Sequence, residues 1–139
     1  MSDFKINFLD HVAIRVKDLS IASEWYENAL GLKKYEFDAW GPYPIFMLAG
    51  KTGVALFPAN AEDPKLEAHS KNVKIDHFAF NVSQEDFKKA QQKYDRLGLD
   101  YSFQDHVYFH SIYTKDPDGH TVELTALVVA ENDFYDDLE

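Results

Sequence analysis

Asp10-His11-Val12-Ala13-Ile14-Arg15-Val16 and Asp76-His77-Phe78-Ala79-Phe80-Asn81-Val82 are two versions of one short pattern, set 66 residues apart. Asp, His, Ala and Val fall at matching places in both. Each stretch alternates with a period of two, as a half-buried β-strand does. Val12, Ile14 and Val16 share one face, and His11, Ala13 and Arg15 share the other. In the second copy Phe78, Phe80 and Val82 oppose His77, Ala79 and Asn81. The apolar face is the one that buries against a helix. Both histidines therefore belong to the opposite face, each beside a small alanine.

A helix-like run follows each copy. From Ser20, the residues Ile21, Ala22, Trp25, Tyr26, Ala29 and Leu30 form one apolar stripe, and Gly31 suits a left-handed stop. In the second copy Ser83 and Asp86 resemble a capping pair, Phe87, Ala90, Tyr94 and Leu97 recur at helical spacing, and Gly98 ends the run. Both helices thus close on Leu-Gly-Leu, at Leu30-Gly31-Leu32 and Leu97-Gly98-Leu99. Three strand-like runs come next in each half, at 33–39, 44–49 and 53–58, and at 100–104, 109–115 and 120–127. Asp116-Pro117-Asp118-Gly119 makes the last turn. The polar segment 59–74, with Pro64, reads as a linker between module 1 (7–58) and module 2 (75–127). The expected fold is α+β, built from two βαβββ modules. Their open strand edges call for pairing, within one chain or across a dimer.

With 139 residues, 45% hydrophobic and 15% aromatic, the chain has the length and composition of one globular domain. Its formal charge of −10 argues against nucleic acid and anionic membrane surfaces as partners. Five acids and no base crowd into residues 131–139, so the end of the chain (128–139) reads as a solvated acidic tail. No cysteine is present, which removes disulfides, thiolate ligands and cysteine nucleophiles. No apolar stretch approaches membrane-spanning length and no signal-like segment opens the chain, so a cytoplasmic location is expected.

Laying the last strands of the two modules over one another puts Val54-Ala55-Leu56 on Val122-Glu123-Leu124. Glu123 alternates with the apolar residues and so shares the histidine face. An acid amid an apolar strand is costly unless it is paired or binds a cation. Its counterpart Ala55 can ligate nothing. Two imidazoles and one carboxylate with open positions form the facial triad of substrate-accessible divalent metals. His11, His77 and Glu123 are the expected ligands. The donors suit Fe(II), Mn(II), Ni(II), Co(II) or Zn(II), with Fe(II) and Mn(II) the first expectation. His106 and His110, near the strand bearing Tyr113, are candidate acid–base groups. Trp40, Tyr43, Phe46, Phe57, Phe103 and Tyr108 are candidate pocket walls, and Tyr113 is a candidate hydrogen-bond donor to bound substrate.

The motifs Leu9 to Leu19, Trp25-Tyr26, Leu30-Gly31-Leu32, Ile75 to Phe80 and Asp116 to Leu124 resemble those of vicinal oxygen chelate proteins. This is the superfamily of glyoxalases, bleomycin-resistance proteins and dioxygenases, and the likeness covers about residues 7–127. It implies paired βαβββ modules forming a half-open barrel around a metal, usually in a homodimer. It also implies a small-molecule substrate that chelates the metal through neighbouring oxygens, and it places His11, His77 and Glu123 on the family's ligand positions. Three activities compete. Glyoxalase I enzymes use a fourth protein ligand where Ala55 stands, which argues against that reaction. Fosfomycin-resistance thiol transferases share the three-ligand pattern, and their ending resembles Ser111-Ile112-Tyr113 through Glu123. They surround a phosphonate with lysine and arginine, however, whereas Ser102 to Tyr113 holds no basic residue and none follows Lys115. Extradiol dioxygenases resemble this chain at His106, Ile112-Tyr113, Asp116-Pro117, Gly119 and Glu123. The chain departs from them at Gln104 and lacks their histidine near Val54-Ala55-Leu56-Phe57. Ring-cleaving dioxygenase chemistry is the first expectation, with thiol transfer and non-catalytic drug sequestration as alternatives.

Overall fold

The computed structural model describes Asp3, residues 5–67 and residues 69–135. The chain divides into two compact units, with the boundary between Lys65 and Leu66, inside the polar segment whose described residues carry no helix or strand.

The first unit runs β1 (His11–Val16), α1 (Leu19–Leu30), β2 (Lys33–Tyr35), a single 3-10 turn (Asp38–Trp40), β3 (Ile45–Ala49) and β4 (Thr52–Pro58). Its sheet has the order β1-β4-β3-β2, with β1 parallel to β4 and the other pairs antiparallel. The register sets Val12 and Ile14 against Val54 and Leu56, and these against Met47 and Ile45. Those side chains make one apolar face. α1 covers it with Ala22, Tyr26 and Ala29, all buried. The helix begins one residue before Ser20, because Asp18 is the stronger cap: its carboxylate accepts from Ile21 N at 2.9 Å. Ile21 lies outside the buried stripe. Gly31 ends α1 at φ 66°, the left-handed stop.

The second unit repeats the plan as β5 (Phe78–Asn81), α2 (Gln84–Leu97), β6 (Tyr101–Asp105), β7 (Phe109–Lys115) and β8 (Thr121–Leu127). The order is β5-β8-β7-β6, again with only the first pair parallel. Ser83 caps α2 by accepting from Asp86 N at 3.1 Å, and Gly98 closes it at φ 69°. Phe87 and Tyr94 are buried under α2 together with Ile112, Val122 and Leu124 of the sheet. Leu97, the last residue of α2, is exposed instead. Each unit is therefore a βαβββ module with a four-stranded mixed sheet and one helix.

Two elements differ from the sequence reading. β2 covers only three residues of the run 33–39, which turns away at Asp38–Trp40. The acidic end is not wholly a solvated tail: α3 (Glu131–Phe134) sets Phe134 against Phe109 at 4.8 Å and Tyr108 at 5.3 Å. Aromatic contact overrides the local charge there. Residues 136–139 lie outside the described residues.

Candidate metal centre and its cavity

His11 and His77 enter their units in the same way. His11 opens β1 and its Nδ1 lies 2.8 Å from Asp10 Oδ1; His77 immediately precedes β5 and its Nδ1 lies 2.8 Å from Asp76 Oδ2. A carboxylate accepting from Nδ1–H selects the tautomer whose Nε2 carries a lone pair, the usual backing of a metal-ligating imidazole. The duplicated Asp-His pair in the sequence is thus an orienting device. The hydrogen bond from His77 is also the main reason that the Asp76 carboxyl is held below the ordinary carboxylate range, with the charges of His77, Lys74 and Lys115 adding to it.

Within the second unit, His77 Nε2 reaches Glu123 Oε1 at 3.0 Å. Glu123 is only 7% exposed and sits in register between Ala79 on β5 and Tyr113 on β7. In the first unit the equivalent place, in register with Ala13 and Phe46, is held by Ala55, which is fully buried. The sheet registers thereby reproduce the alignment of Ala55 with Glu123. Donors bonded at about 2.1 Å to one ion stand roughly 3 Å apart when adjacent, so the His77–Glu123 spacing fits two ligands of one divalent metal. The buried carboxylate and the backed imidazoles fit such an ion by chemistry as well as by distance. Within the second unit, His77 and Glu123 would hold it. Among the described residues no three His, Cys, Asp or Glu side chains converge as a cluster.

Side chains that pair across the strands share a face, and on the Glu123 face they form a polar grid. β8 contributes Thr121, Glu123 and Thr125; β7 sets Lys115, Tyr113 and Ser111 beside them; β6 adds Ser102 and Gln104. Ser111 Oγ and Thr125 Oγ1 are 2.8 Å apart. A cavity of about 520 Å³ opens over this grid, lined by His77, Ser102, Gln104, Tyr113, Lys115 and Thr121 among others. The Tyr113 hydroxyl lies 2.9 Å from His106 Nε2, and its ring meets that of His77 edge-on at 5.6 Å. Burial pushes the Tyr113 pKa up, and the Glu123 carboxylate pushes it further. The hydroxyl is therefore a protonated donor at neutral pH.

His106 and Tyr113 are thus brought together, but His110 is not with them. It lies within β7, one residue out of phase with Tyr113, so it faces α2. Its ring packs on Phe103 at 5.2 Å, its Nε2 is 3.6 Å from Asp105 Oδ1, and it lines a separate cavity of about 130 Å³ with Gln84 and Phe87. An acid–base role beside Glu123 is therefore not open to His110. Phe103 also belongs to that side, against Phe87, and Tyr108 packs on Phe134. The other expected walls gather in the first unit. Phe46 lies 5.1 Å from the His11 ring and 5.2 Å from Trp40, while Phe57 carries Arg15 at 5.3 Å and Tyr43 at 6.2 Å. The sequence reading did not place Lys115, Ser102, Gln104 or Thr121 in the cavity. Their signal was available: Lys115 and Tyr113 are two residues apart on one strand, hence on one face.

Comparison with known proteins gives the family and the fold. The family model of the Glyoxalase/Bleomycin resistance protein/Dioxygenase superfamily matches residues 8–124. Glutathione transferase FosA of Serratia marcescens is 28% identical over 116 residues, 84% of this chain and 78% of that protein. A glyoxalase/dioxygenase structure from Nostoc punctiforme superposes with a TM-score of 0.77 at 18% identity, covering 93% of this chain and 97% of that one, and shows the shared fold. The fosfomycin resistance protein FosX from Mesorhizobium loti superposes with a TM-score of 0.65 at 25% identity, covering 92% and 98%.

Proposed function

Because the chain belongs to the glyoxalase, bleomycin resistance protein and dioxygenase superfamily, we propose that it is a metal-dependent transferase, one that joins a thiol to a small substrate bound through neighbouring oxygens. The observation that carries this reading is the pairing of Glu123 with His77 where the first module has Ala55; on this reading His11, His77 and Glu123 are the three donors. Similarity to FosA of S. marcescens and FosX of M. loti favours thiol transfer, or a related opening of a small electrophile, over ring cleavage. A divalent ion held there supplies Lewis acidity, stabilising negative charge that develops on a substrate oxygen. The chain's own groups do the rest. Asp10 and Asp76 hold the imidazoles in their ligating tautomer, and Tyr113 donates a hydrogen bond toward the substrate while His106 takes up or returns the proton at its oxygen. The functional form is a homodimer acting on a small molecule, without nucleic acid or membrane; among the described residues no helix is long and apolar enough to cross a membrane.

The test is Mn(II) or Fe(II) uptake by protein purified without chelator, followed by a thiol-consumption assay with glutathione and a small epoxide. One ion per chain and metal-dependent thiol loss support the proposal. Failure to take up Mn, Fe, Co, Ni or Zn would favour a sequestering protein instead. The hydrogen bond between His106 and Tyr113 keeps extradiol dioxygenase chemistry as a second reading, since it supplies an acid–base pair beside the ligands. A catechol panel after anaerobic iron loading checks it: a yellow ring-opened product with no thiol consumption would replace transfer by ring cleavage.

A further inference from the structure

We propose that α3 is a clamp on the turn that carries His106, with Phe134 as the positioning residue that holds this imidazole at the Tyr113 hydroxyl. The inference rests on the proposed function, in which His106 and Tyr113 handle the proton at the substrate oxygen. His106 to Tyr108 alone join β6 to β7. The turn closes on itself: His106 N donates to Phe109 O and Tyr108 N to His106 O, each at 2.8 Å, and Val107 N donates to Asp105 Oδ1 at 2.9 Å. So tight a turn places Val107 at φ 71°, a region that β-branched residues avoid. Val107 and Tyr108 are also exposed, so the turn stands outside the buried core.

The chain beyond β8 ties this turn down. Val128 N donates to Tyr108 O at 2.9 Å. Further on, the Phe134 ring centre lies 5.3 Å from that of Tyr108 and, edge-on, 4.8 Å from that of Phe109, with Tyr135 edge-on beside it at 4.9 Å. α3 has little reason to be helical by itself. It is a single turn, far below the length at which an isolated helix persists, and Ala130 gives it no side-chain cap. The aromatic contacts are what hold it folded, and the same contacts reach the two residues between Val107 and the rest of β7. The chemistry needs such a hold. His106 Nε2 meets the Tyr113 hydroxyl at 2.9 Å, and a proton passes between catalytic groups only at hydrogen-bond reach. A turn released from α3 relieves the strain at Val107 by moving, and His106 moves with it.

The competing role for Phe134 is to cover the start of β7 for stability alone. A mutant cycle in the full-length, Mn(II)-loaded protein separates the two. Phe134→Ala is expected to lower kcat for glutathione transfer to a small epoxide roughly tenfold, with KM and Mn(II) uptake unchanged. Phe134→Tyr, which keeps the ring, should restore most of the rate. In a His106→Gln background Phe134→Ala should cause no further loss, because the group it positions is gone. Imidazole NMR signals, recorded without metal, give a readout independent of turnover. Phe134→Ala should shift the His106 signal, identified by its absence in His106→Gln, and leave those of His11 and His77 in place. An unchanged kcat, an equal loss in both backgrounds, lost Mn(II) uptake or an unshifted His106 signal would each overturn the assignment. Should the alanine variant melt below the assay temperature, Phe134→Leu takes its place in the same cycle. If the wild type shows no metal-dependent thiol loss, the proposed function fails on its own, and the His106 signal still decides whether Phe134 holds that side chain.

Discussion

Tyr113 shows how much one residue's surroundings decide. Its phenol is kept protonated by burial and by the Glu123 charge, and its partner at 2.9 Å is an imidazole nitrogen. Replacing it by phenylalanine removes a donor without removing a ligand. Tyr113→Phe is therefore expected to keep full Mn(II) uptake while kcat falls about 10- to 100-fold, and a metal titration beside steady-state kinetics checks it. Loss of metal binding in that variant would show that the hydroxyl supports Glu123 and not the substrate. His110 makes the opposite point. In the sequence it stands nearer to Tyr113 than His106 does, yet the alternation along β7 turns it to the α2 face. His106 escapes that alternation because it lies in the turn before β7. The strand's starting residue decides which histidine reaches the cavity, and nothing in the run of side chains marks it.

At the scale of the element, the β6–β7 turn that presents His106 is strained. Val107 has φ 71°, a left-handed conformation that a β-branched residue adopts only at a cost of about 1–2 kcal/mol. Val107 is largely exposed, so no packing compensates. Val107→Asn should raise stability by about 1 kcal/mol in urea unfolding, since asparagine tolerates that region. A destabilised variant would mean that the valine side chain holds the turn in place. A second local conflict lies under α2, where the Tyr94 hydroxyl is buried without a hydrogen-bond partner among the described residues and its pKa is raised strongly by desolvation. Tyr94→Phe should be neutral or stabilising by up to about 1 kcal/mol near pH 7. The pH dependence has a definite sign. Unfolded tyrosine ionises near pH 10 while the folded group stays neutral, so the wild type loses stability as pH rises above that value and Tyr94→Phe loses less. Equal alkaline unfolding curves would show that Tyr94 finds a partner. Helices and their caps were readable because each signal is local: Ser83, Gly31 and Gly98 act within one turn of themselves. The start of α1 is less legible, because both Asp18 and Ser20 are residue types that cap, and only the geometry of Ile21 N chooses. The short β2 and the docking of Phe134 depend on contacts distant in sequence, which periodicity does not carry.

For the whole molecule, the duplication determines what each half can do alone. Repetition made the fold legible, because the same Asp-His strand occurs in both modules and the register of one predicts that of the other. It could not reveal Lys115 as a cavity residue, since the first module has no equivalent: there the strand paired with β4 ends in apolar Leu48 and Ala49. In the proposed centre the second unit would supply Nε2 of His77 and Oε1 of Glu123, and the first would supply His11 but no acid at Ala55. Two donors hold a divalent ion far more weakly than three, so the proposed centre couples the modules, whether they pair in one chain or across a dimer. Mn(II) at a hundred times its Kd should then stabilise the wild type by about 2.7 kcal/mol, seen as a rise in Tm of several degrees. His11→Ala and Glu123→Ala, which alter different modules, should each abolish most of that rise. The double variant should be no worse than either alone, because the three groups act as one site. A His11→Ala protein that keeps the full Mn(II)-dependent shift would confine the ion to the second module, and His11 would then be an ordinary strand-end histidine.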